Sequence, residues 1–300
     1  MARLSTSMQG VLYFLYVMLG NACVIGIVRH IGSHYHVFQI VFLFNLVALL
    51  CFLPWLIKGG TQKLKTTRMR MYSFRAVLEF VSFSSSFYAL SLIPLPMHTA
   101  LLFMTPIFGT VIAMLFLKEK GRMITFATIA AGFVGVLIIT RPDFATFNIG
   151  ILFALLAAAG FAGCGAVIKD LTATEPSDRV AFYMLSMTTL IALPFALTNW
   201  VTPRPEDTVW FIAIGLIAVT LQIAIAAAFA RATFMTLLPL NFAQLVFVSI
   251  IAYLFYGEVI DEWTIVGSVV IIAATMANGY YASRSAREVM ADAQAAESMS

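Results

Sequence analysis

Arg75, Glu79, Ser82 and Ser86 stand at i, i+4, i+7 and i+11 in an otherwise apolar stretch. At 100° per residue of α-helix the four side chains fall within about 60° of one another, a single polar stripe roughly 16 Å long. A carboxylate facing lipid is expensive, so within a membrane Glu79 must face protein or a wet cavity. Two chemistries fit. In one, Glu79 binds a substrate amine or carries a proton, and the serines extend the path. In the other, Arg75 neutralises Glu79 one turn away and the pair positions the helix.

Other polar residues sit in apolar surroundings. His98 and Thr105 share a helical face, and Pro106 frees a backbone carbonyl one turn earlier. His98 reads either as a wall of the same site or as an interfacial residue beside a kink. Gln222, Asn241 and Gln244 are amides that need partners, from a neighbouring helix or a ligand. Tyr13, Tyr16 and Gly20 line one face with Asn21 beside them, as packing or as a ligand wall. The small-residue runs Ala157 to Gly165, Ala131 to Gly135 and Ala224 to Ala228 predict close helix contact.

His30, His34 and His36 lie close together but have no carboxylate or thiolate to complete a metal set, so no metal site is expected. Cys23, Cys51 and Cys164 read as small apolar residues. Glu119 and Glu258 hold matching places at the ends of two apolar segments, and each is expected to cap the helix that follows it.

The elements that position these residues follow from composition. Of 300 residues, 61% are hydrophobic and 11% charged, against about 25% charged in soluble domains. The apolar residues fall in blocks of roughly 20, the length that crosses about 30 Å of hydrocarbon. Gly, Pro or charge punctuates nearly every connection. Ten membrane spans are expected, near 9–29, 37–57, 72–93, 97–117, 123–141, 149–169, 180–200, 208–230, 235–256 and 263–283. The first is read as a retained span rather than a cleaved leader, since no small-residue cleavage site closes it.

With the N-terminus inside, 15 of the 18 Lys and Arg residues fall on cytoplasmic segments; only Arg29, Arg141 and Arg204 fall outside. The positive-inside rule then predicts that both termini are cytoplasmic. It also accounts for the net charge of +4 without nucleic acid. Trp55, Trp200, Trp210 and Trp263 stand at span ends, where indoles prefer the headgroup level.

The chain repeats itself. Gly10-Val-Leu-Tyr matches Gly150-Ile-Leu-Phe, Arg29 matches Lys169 and Pro54 matches Pro194, all at a spacing of 140. Phe116-Leu-Lys-Glu119 matches Phe255-Tyr-Gly-Glu258 at 139. Two halves of five spans are expected, 1–147 and 148–283, followed by a polar cytoplasmic tail at 284–300. Five is odd, so the second half enters the membrane inverted. Inverted repeats are the usual architecture of alternating-access transporters.

The sequence resembles the drug/metabolite transporter superfamily, in particular its EamA-type ten-helix carriers. Phe87-Tyr-Ala-Leu90, Pro94-Leu-Pro96, Thr105-Pro-Ile-Phe108, Phe116-Leu-Lys-Glu119 and Gly132-x-x-Gly135 with the run to Pro142 carry the likeness. Phe229-Ala-Arg231 and Tyr256-Gly-Glu258 repeat it more weakly. Leu245 stands where family members often have proline, and Phe44-Asn45 where many have an arginine. The resemblance implies an all-α, ten-helix basket whose cavity is lined by spans 1 to 4 and 6 to 9. Its substrates across the family include amino acids, nucleotide-like metabolites, S-adenosylmethionine and drug-like compounds.

The expected function is secondary transport of a small metabolite across the inner membrane of a bacterium, without cofactor, by a chain working as a monomer in the lipid bilayer. Export of amino acids or related zwitterions is the first reading, and uptake of a cationic nucleoside-like metabolite such as S-adenosylmethionine the alternative. No G-x-x-x-x-G-K-[ST] motif offers direct use of ATP. An intramembrane enzyme is the remote alternative: it needs paired catalytic groups at membrane depth, and Glu79 is the only carboxylate well inside a span. Nor is there a sequence that forms a channel's selectivity filter. The residues expected to bind substrate are Glu79, Ser82, Ser86, Thr105, Gln222, Asn241, Gln244, Tyr13, Asn21 and His98, with Arg75 paired to Glu79.

Overall fold

The computed structural model describes residues 6–59, 64–116, 123–140, 148–172, 174–231, 240, 243–277 and 280. Its helices are α1 (Thr6–Ile31), α2 (Val37–Gly59), α3 (Met69–Leu92), α4 (Leu95–Leu102), α5 (Thr105–Phe116), α6 (Met123–Thr140), α7 (Ile149–Thr172), α8 (Ser177–Thr198), α9 (Pro205–Arg231), α10 (Ala243–Tyr256) and α11 (Glu262–Ala277). No strand occurs among the described residues.

Local chemistry sets the helix ends. Pro94 and Pro176 precede α4 and α8 in extended conformation, where the missing N–H of proline costs nothing. Pro205 opens α9, with Glu206 and Asp207 in a first turn that favours negative charge. The expected span 97–117 is instead two helices. Pro106 has no N–H for the Leu102 carbonyl, and the hydroxyl of Thr105 donates to that carbonyl at 2.7 Å. Phe103 and Met104 form the turn between the two pieces. Of the ninth expected span, α10 covers Ala243–Tyr256, and residues 235–239, 241 and 242 lie outside the described residues.

Among the described residues, five segments are long and apolar enough to cross a membrane: Met8–Ile31, Val37–Pro54, Leu95–Ile112 through the break, Ile149–Ile168 and Asp178–Thr198. Shorter apolar helices cover Phe126–Ile139, Ala243–Tyr256 and Glu262–Ala277. Large apolar side chains such as Leu137, Leu190, Leu254 and Phe255 point outward, as a helical bundle solvated by lipid requires.

Packing follows the repeat. α3 lies along α7 and α1 along α9; α2 packs on α8; α4 and α5 pack on α7 as α10 packs on α1. Moving each helix by 139 or 140 residues exchanges these pairs with one another. Single residues show the same exchange. A methyl group on Gly160 of α7 would collide with Ser82 of α3, and one on Gly20 of α1 with Leu221 of α9. Gly20 and Gly160 are 140 apart, Ser82 and Leu221 are 139 apart. Within the run Ala157 to Gly165, Gly160 and Gly163 are close helix contacts, as expected, while a methyl group on Gly165 would meet nothing within 4 Å.

Polar contacts tie both ends of the bundle. At the α1–α2 end, Tyr35 donates to Asp207 at 2.6 Å, and Gln39 exchanges two hydrogen bonds with the backbone of Val201. At the opposite end Thr66 donates to Glu175 at 2.6 Å, Arg68 binds Asp170 and Thr174, and Tyr183 donates to the carbonyl of Leu64.

The α1–α2 end carries one further device. Arg29 pairs with Glu258 at 2.9 Å and donates to the carbonyls of Leu90 and Ile93 at the end of α3. The other oxygen of Glu258 accepts the backbone N–H of Leu95 at 2.7 Å, capping α4. The expectation that Glu258 caps the helix following it is thus corrected. Asp261 caps α11, binding the backbone N–H and hydroxyl of Thr264, while Glu258 faces a helix brought beside it by tertiary packing. Glu119 lies outside the described residues.

Candidate functional site

The polar stripe of α3 is buried along its whole length, against α7 and α8. Arg75 is 4% exposed and Glu79 7%, Ser82 is fully buried, and Ser86 is 4% exposed. The closest approach of the two charges is 3.6 Å, from Nη2 of Arg75 to Oε2 of Glu79. That is an ion pair without a hydrogen bond. Nη2 of Arg75 donates to the sulfur of Met184 on α8 at 3.2 Å. Nε and Nη1 of Arg75, Oε2 of Glu79 and the hydroxyls of Tyr72 and Thr188 have no hydrogen-bond partner among the described residues.

Two other carboxylates that carry ion pairs among the described residues have both oxygens hydrogen-bonded. Glu258 uses both oxygens, on Arg29 and Leu95. Glu175 also uses both, on Thr66 at 2.6 Å and Arg179 at 2.5 Å. The Thr66 hydrogen bond leads in holding the Glu175 carboxyl below its ordinary range; partial burial opposes it and Arg179 and Arg68 reinforce it.

Ser82 donates to the carbonyl of Leu78 at 2.6 Å and abuts Gly160. Cys164 on α7 is buried near Glu79 and Ser82. Ser86 shares a hydrogen bond of 2.9 Å with Nε2 of His98 on α4. His98 is fully buried, which corrects its reading as an interfacial residue. The repeat-related positions on α9 are Ile214 and Ala218 in place of Arg75 and Glu79, so the charge pair belongs to one half alone.

A second polar region lies between α1 and α9. Gln9, Leu12, Tyr13, Tyr16, Thr220 and Ala224 line a cavity of about 570 Å³, across which Tyr16 and Thr220 share a hydrogen bond of 2.8 Å. Asn21 is half-buried one turn beyond, on the same helix. Thr105 is taken up by the helix break rather than by the stripe. Gln244 is half-buried in the first turn of α10. Asn241 and the side chain of Gln222 lie outside the described residues.

The structure thus joins Arg75, Glu79, Ser82, Ser86 and His98, and puts Tyr13 on another seam. Cys164, Met184, Tyr72 and Thr188 complete the buried surroundings of α3 and were not singled out as site residues from the sequence. Their only signal was a polar or sulfur atom on a predicted helix. Among the described residues no three or more His, Cys, Asp or Glu side chains group as a metal site. His30 instead meets Trp210 edge to face.

A family model described as the EamA-like transporter family matches residues 8–141 and again residues 148–279. The chain is 26% identical over 273 residues to an S-adenosylmethionine uptake transporter of Rickettsia prowazekii, covering 91% of this chain and 93% of that protein. It is 28% identical over 209 residues to a pseudopaline exporter of Pseudomonas aeruginosa, covering 69% and 74%. A riboflavin transporter of Vibrio cholerae is 27% identical over 271 residues, covering 88% and 91%. One crystal structure shares the fold with a TM-score of 0.58 at 16% identity, over 93% of this chain and 96% of that one.

Proposed function

The chain belongs to the EamA-like transporter family, and on that footing we propose that it carries a small metabolite across the inner membrane of a bacterium by alternating access. Ten spans form two inverted five-helix repeats, 1–147 and 148–283, with both termini and the tail at 284–300 in the cytoplasm. The double family match, the exchange of helix pairs under the 140-residue shift and the 15-to-3 split of basic residues support this arrangement. In that orientation the Arg29–Glu258 contact closes the outer end.

The observation that carries the substrate reading is the buried Arg75–Glu79 pair with unused hydrogen-bonding atoms on one half only. It suits a small ligand with charged groups at one end. Substrate contacts run from this pair through Ser82, Ser86 and His98, with Tyr13, Asn21, Thr105, Gln222, Asn241 and Gln244 as the remaining wall. The chain acts as a carrier rather than an enzyme, and as a monomer. Amino acids or related zwitterions are the first substrate class, moved outward. Uptake of S-adenosylmethionine is the second, favoured by the length and coverage of the Rickettsia match. The named relatives include both an uptake transporter and an exporter, so direction is taken from neither.

A ligand-dependent thermal-shift screen over amino acids, nucleosides, S-adenosylmethionine, riboflavin and cationic drugs tests this reading. Stabilisation by amino acids or S-adenosylmethionine is expected; stabilisation by riboflavin or the drugs alone would redirect the substrate class. Proton coupling through Glu79 is tested separately in proteoliposomes. Transport indifferent to a pH gradient, in wild type and Glu79→Gln alike, removes it.

A further inference from the structure

Resting on the carrier reading, we propose that the Arg75–Glu79 pair is a docking point for an α-amino carboxylate, with Arg75 holding the carboxylate and Glu79 the ammonium. The two side chains are buried at 4% and 7% exposure, yet they approach only to 3.6 Å. Two guanidinium nitrogens face no acceptor, and one carboxylate oxygen faces no donor.

A buried pair that serves only to hold helices together recovers its desolvation through close, complete hydrogen bonding. The same chain does this twice. Glu258 and Glu175 each satisfy both oxygens, although they lie nearer the ends of the bundle where burial costs less. Arg75 and Glu79 carry the opposite pattern at greater depth. Their unused atoms ask for one acceptor group and one donor group, side by side.

An ammonium and a carboxylate on one carbon provide that pair of groups. Set antiparallel to Arg75 and Glu79, they make a rectangle of alternating charge. The ligand is locally neutral, so loading adds no net charge at membrane depth. An amine without its carboxylate, or an acid without its amine, leaves one net charge buried and one protein group unmatched. Arg75 precedes Glu79 on α3, so the ligand carboxylate lies toward the Met69 end of the helix and the ammonium deeper. The rest of the ligand is free to vary, which separates recognition of the amino-acid moiety from recognition of the side chain.

Matched triads test this in purified protein and proteoliposomes: L-methionine, L-lysine, L-tryptophan and S-adenosylmethionine, each with its decarboxylated and its deaminated form. For at least one triad the intact zwitterion is expected to bind about tenfold or more tightly than either truncated form, the penalty of an unmatched charge-assisted bond. Arg75→Gln should abolish the preference over the decarboxylated form, and Glu79→Gln the preference over the deaminated form. If either glutamine variant fails to fold, Arg75→Lys and Glu79→Asp keep the charges and displace them, and should weaken the zwitterion at unchanged thermal stability. Equal binding within every triad, or variants that weaken all three members alike, overturns the assignment. Transport of another ligand class with no triad member bound overturns it too but leaves the carrier intact. No transport of any ligand overturns both.

Discussion

Arg29 and Glu258, 229 residues apart in sequence, meet at 2.9 Å, and the same carboxylate caps the first N–H of α4. One contact therefore joins the ends of α1, α3, α4 and α10. The Tyr35–Asp207 and Thr66–Glu175 contacts, by comparison, tie opposite ends of the bundle and are formed together. Contacts present at both ends at once cannot distinguish outward from inward access. In the orientation proposed above, the Arg29–Glu258 contact lies at the outer end and parts when that end opens.

Glu258→Gln and Arg29→Gln should each destabilise the closed end, and a double-mutant cycle should give a coupling of about 1–2 kcal/mol, between the values of exposed and buried charged pairs. A cysteine placed at Pro94 should react faster with an external thiol reagent in either variant. Unchanged labelling would show that the contact does not close this end.

Gly160→Ala should destabilise by about 1–3 kcal/mol through overpacking on Ser82, and Ser82→Ala should recover part of the loss. Gly20→Ala should behave alike, with relief from Leu221→Ala. Gly165, whose added methyl would meet nothing within 4 Å, is the control: alanine there should be neutral or stabilising by up to about 1 kcal/mol. Chemical denaturation in detergent reads all five.

His98 and Ser86 share one buried hydrogen bond. Removing either partner alone should cost about 1–3 kcal/mol by stranding the other. His98→Leu with Ser86→Ala should cost less than the sum of the two, and strict additivity would contradict the pairing.

Glu175 lies in the α7–α8 connection, and its folded carboxyl titrates below its ordinary value of about 4.3. A depressed folded pKa stabilises the fold above the unfolded pKa, and that contribution fades as pH falls through the folded pKa. Wild type should therefore melt higher than Glu175→Gln at pH 6 to 7, with the gap narrowing below about pH 4. A gap independent of pH would assign the effect to packing instead.

Much of this was legible in the chain. Blocks of apolar residues and their prolines placed the helix ends within a few residues, because length and breakers act locally. The α3 stripe was legible because Arg75, Glu79, Ser82 and Ser86 share a helical face by spacing alone. What opposes that face was not. Cys164 read as an inert apolar residue, yet it sits beside Glu79 and Ser82. Glu258 read as a cap for its own neighbour, yet it serves α4, since a carboxylate caps whichever helix N-terminus the fold brings within reach. His98 reads as an interfacial residue beside a kink or as a site wall, and the packing of α4 on α7 and α10 encloses it. Periodicity reports which residues share a side of one helix, and the partner helix is a tertiary fact.

Counterflow in proteoliposomes tests the carrier reading most directly. Vesicles preloaded with unlabelled L-methionine or S-adenosylmethionine are diluted into the labelled compound. Preloading should accelerate entry of label and drive a transient accumulation, and Glu79→Gln should lose it. Entry indifferent to preloading, or absent for every amino-acid-bearing compound, would contradict an alternating-access carrier of such substrates.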